Sequence, residues 1–164
     1  MWFFMYSCYL TSLASFIMLC IVLLQSFHSF MILKSSPMSF LILTSIIYFF
    51  SETLIIFFFV GTSISVKEYM LEHKIFGDFH QRMIKIKRVM YPPQMLNILL
   101  LMAAFIFYGA ADTGKMAKWT YQILLCAGVL HFCYAKLIQH NSFRENTFII
   151  LEMAGLRPDH VLAS

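Results

Sequence analysis

Residues 63–94 read SISVKEYMLEHKIFGDFHQRMIKIKRVMYPPQ. This stretch holds six of the twelve basic residues of the chain: Lys67, Lys74, Arg82, Lys85, Lys87 and Arg88. On either side of it the sequence is apolar over long, uninterrupted runs. A run of about 20 apolar residues is what a helix needs to cross the hydrocarbon core of a bilayer. A basic stretch set between such runs therefore decides both the fold class and the orientation.

The composition points the same way. The chain of 164 residues is 60% hydrophobic and only 12% charged, with a mean hydropathy of +0.77. Soluble domains carry roughly 25% charged residues, so a water-soluble fold of this size could not hide the apolar surface. Only helices and closed barrels satisfy their backbone in lipid, and barrel strands alternate in hydropathy where these runs do not. The sequence predicts an all-α integral membrane protein. It is a four-transmembrane-helix bundle with a cytoplasmic amphipathic segment, in one membrane domain over 1–164. The net charge of +4 comes from loop lysines and arginines and does not indicate a nucleic-acid surface. The first residues lack a basic region, so the N-terminus does not read as a cleavable signal peptide.

Four spans are expected, at about 5–33, 38–62, 94–111 and 119–137. In the first, Ser7, Thr11 and Ser15 recur every four residues, a polar stripe that prefers to face other helices. Between the second and third lies a basic loop, 63–93. Within it Phe76, Phe79, Met83, Ile86 and Met90 follow helical spacing. Asp78, Arg82 and Lys85 take the other face, with Asp78 and Arg82 spaced to pair. That pattern predicts a helix lying in the membrane interface, ended at Tyr91 by Pro92 and Pro93. A C-terminal extension covers 138–164, with helix reaching to about Ala154 and Gly155 at its end. The excess of lysine and arginine in the loop places it in the cytoplasm. Four spans then put both termini there, with the protein in a plasma or inner membrane.

Few residues in the spans could carry chemistry. Glu52 is an acid inside an apolar run, which costs about 2.5–3.5 kcal/mol on insertion scales. It shares a face with Ser45 and Tyr48, and its role is either proton handling or a structural hydrogen bond. His131 lies on one face with Gly128 and Ala135, so it either ligates a b-type haem, serves as a relay beside a quinone, or makes a buried hydrogen bond. His28, near the other end of the first span, is poorly matched in depth as a second ligand. Asn97 is a further polar residue one turn inside the third span. His73, His80, His140 and His160 fall on the cytoplasmic side without the spacing of a metal site. The four cysteines sit in apolar runs and read as small buried hydrophobes. Arg82, Lys85, Lys87 and Arg88 suit anionic lipid or a docked partner.

No catalytic motif is present, neither a phosphate loop nor a nucleophile elbow. The sequence alone therefore indicates a small membrane subunit or scaffold. Its expected partners are membrane lipids and other membrane subunits or a second copy of itself. The alternatives are a haem- or quinone-binding anchor and a small proton-coupled transporter.

Overall fold

The structure is a computed structural model that describes residues 2–28 and 36–155. Lys34, Arg157, Pro158 and His160 lie outside the described residues. Four helices follow one another: α1 Trp2–Phe27, α2 Pro37–Glu72, α3 Phe79–Asp112 and α4 Lys118–Met153. Each is long and apolar enough to cross a membrane. Each packs on its neighbours in sequence, and α1 closes the ring against α4, the least extensive of the four contacts around the ring. Cross-helix bonds fix the directions. Gln122 at the start of α4 donates to the Ser26 carbonyl at the end of α1. Tyr9 near the start of α1 meets His140 near the end of α4. Lys87 of α3 reaches Ser63 of α2. The bundle is thus up-down-up-down.

The core has two apolar halves. One is built on Phe58, Phe59, Met83, Met90 and Phe143 at the end that carries the α2–α3 turn. The other is built on Leu19, Tyr48, Leu101, Leu125 and Phe132. Between them every helix turns polar at the same level: Ser15 in α1, Ser51 and Glu52 in α2, Gln94 and Asn97 in α3, Gln139 in α4, all buried. The serine and threonine stripe of α1 is bonded along its own helix, as Thr11 to Ser7 and Ser15 to Thr11. Ser15 also contacts the Ile47 carbonyl of α2 at 3.4 Å.

Helix boundaries differ from the expected spans in one instructive place. The interfacial helix with a stop at Tyr91 is absent. Instead α3 runs unbroken through Pro92 and Pro93. Proline lacks an N–H and crowds the preceding turn, which normally breaks a helix. Here Met90 and Gln94, on either side of the pair, are fully buried, so packing holds the backbone on both flanks. Met83, Ile86 and Met90 accordingly face the bundle core, not a membrane surface. Phe76 is left out, fully exposed in the turn. Arg82 does not pair with Asp78. It forms an ion pair of 2.6 Å with Glu152 at the end of α4.

The turns after α2 and α3 close alike. The amide of Ile75 donates to the Met70 carbonyl, and that of Lys115 to the Ala110 carbonyl. Both need a residue at positive φ. After α3 it is Gly114 (φ 73°), whereas after α2 it is Lys74 (φ 51°). A side chain there costs roughly 1–2 kcal/mol, partly offset by the freedom glycine loses on folding. We expect Lys74→Gly to stabilise the protein by about 0.5–1 kcal/mol in thermal unfolding.

The α3–α4 contact, the most extensive in the bundle, depends on Gly128. A Cβ there would stand 2.7 Å from Leu101 Cδ2, and Leu101 is wholly buried. Gly128→Ala should therefore lower stability by about 1–3 kcal/mol through overpacking. Adding Leu101→Ala should recover part of that loss, read as melting temperature in detergent.

Candidate functional site: a polar layer at mid-bundle

Glu52 faces inward from α2, only 2% exposed. Three side chains from two other helices converge on it. Lys136 Nζ of α4 donates to Glu52 Oε1 at 2.6 Å. Gln94 Nε2 of α3 donates to Glu52 Oε2 at 2.8 Å and to the Glu52 main-chain carbonyl at 3.1 Å. Gln139 Nε2, one turn beyond Lys136, donates to Oε2 at 3.1 Å. Lys136 also donates to Gln139 Oε1 at 2.8 Å, and its ammonium lies 4.7 Å above the centre of the Phe132 ring. One carboxylate, one ammonium and two amides thus form a single charge-neutral group.

A second chain of bonds runs beside it. Asn97 Nδ2 donates to the Tyr48 hydroxyl at 2.9 Å, and His131 Nδ1 stands 3.3 Å from Asn97 Oδ1. An amide oxygen only accepts, so this contact assigns the His131 proton to Nδ1. Tyr48 lies one turn from Glu52, so the two groups adjoin along α2.

The residues singled out by sequence separate accordingly. Glu52, Tyr48, Asn97 and His131 are all in the layer. Ser45 is not: it is half-buried and donates to the Leu41 carbonyl of its own helix. Thr44, fully buried, turns inward in its place and bonds the Phe40 carbonyl. His28 is exposed at the end of α1. The space beside Gly128 is occupied by Leu101, so it does not admit a flat cofactor. Of the basic set, Arg82 is paired with Glu152 and Lys87 with Ser63. Among the described residues Lys85 and Arg88 make no ion pair, and Lys85 borders a groove with Glu145. Among the described residues, no three of His, Cys, Asp and Glu are placed to hold a metal. The cysteines are all free thiols, and Cys133, expected to be buried, is exposed.

Sequence reasoning missed Lys136, Gln94 and Gln139. The signal existed for one of them. Lys136 is the sole basic residue inside the four expected spans, as Glu52 is the sole acid across most of that length. Two opposite charges stranded in apolar runs invite pairing.

The fold and the layer define a class: an antiparallel four-helix bundle of membrane-spanning helix length, tied by a buried ion pair. Compared with protein-family models, with curated proteins and with solved structures, the chain has no match.

Breaking a buried pair from one side leaves the other charge uncompensated, which costs about 3–5 kcal/mol. Glu52→Leu and Lys136→Leu should each destabilise the detergent-solubilised protein by that order. The double variant should be closer to wild type than either, because no charge is stranded. Additive losses in that cycle would mean the two groups are not coupled.

Proposed function

We propose that this chain is a small integral-membrane subunit or scaffold. Its four helices cross the bilayer, and its basic turn and both termini face the cytoplasm. The observation that carries the reading is how the polar groups are used. Glu52, Gln94, Lys136 and Gln139 bond one another across three helices, as do Tyr48, Asn97 and His131, while the outward faces of the helices carry apolar stripes. Outward residues recur at seven-residue spacing: Phe3, Leu10, Ile17 and Leu24 on α1; Phe50, Phe57 and Ile64 on α2; Ile123, Leu130 and Leu137 on α4. Such stripes suit lipid, and at this period they also suit further helices packed at shallow angles. The mutual bonding of these polar residues supports a structural role for them, leaving the outer surface for association.

Helix lengths support the crossing. α2 and α4 have 36 residues each, about 54 Å of helix, against a hydrocarbon core of roughly 30 Å. The surplus extends past the bilayer at the end that carries Arg82, Lys85, Lys87 and Arg88. There the unpaired Lys85 and Arg88 are placed for anionic headgroups, worth about 1 kcal/mol each near the surface. A haem anchor through His131 is less well supported, because Leu101 fills the space beside Gly128 and Asn97 already engages the ring.

Two measurements test this. Reporter fusions at Ser164 and after Lys74 should both read cytoplasmic, and an opposite reading at either would overturn the topology. The native mass in a mild detergent, corrected for bound detergent, should exceed the chain's 19.2 kDa severalfold when extracted from its own membrane. A monomer under those conditions would remove the subunit reading.

A further inference from the structure

α1 and α4 do not close fully on each other. Between them lies a cleft of about 300 Å³, at the lower end of the range for small-molecule sites (~300–1,000 Å³). Its walls are almost wholly apolar. Phe16 of α1 and Phe132 of α4 are stacked at one side, 10° from parallel. The mouth opens on the outer face of the bundle, where Cys133 and His140 are exposed. Tyr9 and His140 bond each other there at 2.9 Å. Lys136 and Gln139 border the same cleft from within.

Lys136 is the feature that an apolar cleft does not require. It has three N–H donors, and its bonds to Glu52 and Gln139 account for two. Its side chain retains 19% exposure, against 3% for Glu52. A donor at the floor of an apolar cleft, opening sideways from the bundle, selects a ligand with an acceptor head and an apolar body. Charge narrows the head further. Glu52 lies 2.6 Å from the same ammonium, so an anionic head would meet a carboxylate already in place. A neutral acceptor meets no such opposition.

We propose that the α1–α4 cleft binds the neutral carbonyl head of a lipophilic molecule, with the Lys136 ammonium as hydrogen-bond donor. Two sources share that chemistry: a long-tailed benzoquinone, whose ring suits the Phe16–Phe132 wall, and a long-chain fatty acid in its undissociated form. The site is separate from His131 and does not depend on the assembly proposed above.

Cys133 provides the readout, since it lines the cleft and is exposed. The purified full-length chain in neutral detergent would be alkylated with a maleimide, and modification of Cys133 followed by peptide mass. Three probes would be added in turn: a fully substituted decyl-benzoquinone, which cannot itself alkylate the thiol; oleic acid; and dodecane, which has no carbonyl. At least one carbonyl probe should slow alkylation tenfold or more, and dodecane should not. Which probe protects identifies the source. Ser12→Trp fills the cleft from α1 without touching the polar layer, and it should abolish protection. Glu52→Gln/Lys136→Met removes both charges together, and it should raise the half-protecting concentration at least tenfold. Protection by neither carbonyl probe, equal protection by dodecane, or protection retained in Ser12→Trp would overturn the site. Unchanged protection in a folded Glu52→Gln/Lys136→Met protein would overturn the role of Lys136.

Discussion

The bond between Glu52 and Lys136 constrains everything around it. Neither charge tolerates burial alone, so α2 and α4 must be brought together at one level. Gln94 and Gln139 then take the remaining positions on the carboxylate, which fixes α3 at the same level. Sliding α2, α3 or α4 by a turn would strand a charge or an amide in one of the two apolar halves of the core. Apolar packing alone would not forbid that slip, since large apolar side chains can exchange places at modest cost. The polar layer sets the register of the bundle, and the two apolar halves supply the packing.

The fold class was legible from the runs of apolar sequence, because helices of that length and hydropathy have few other solutions. The number of long apolar helices followed too. What failed was the reading of Pro92 and Pro93. The rule that proline ends a helix describes a chain free to leave it, and Met90 and Gln94 are not free. The same segment misled in another way. Met83, Ile86 and Met90 form an apolar face in the sequence, but a face does not say what it packs against. Only the extension of α2 and α4 alongside α3 turns it into core.

The layer was half legible. Glu52, Tyr48, Asn97 and His131 stand out as polar residues in apolar runs, and all four converge. Lys136 lies close to the expected end of its span, where a long side chain ordinarily reaches back to water. That position disguised it. Gln94 was hidden by its place at the supposed start of a helix, directly after the two prolines. A polar residue at a boundary carries little information until the boundary itself is known, and here the boundaries lay ten or more residues away.

The order of synthesis gives the polar layer one more consequence. Glu52 and Lys136 are separated by 84 residues of chain. At about 5–20 residues per second, the lysine follows the glutamate from the ribosome by roughly 4–17 s. Gln94, 42 residues after Glu52, emerges halfway through that interval. A nascent chain that had already released α2 into lipid would carry an acid there without its cation. The Gln94 amide is thus the first partner to reach the Glu52 carboxyl, and the Lys136 ammonium joins only with the arrival of α4, so the layer is assembled in the order of the chain.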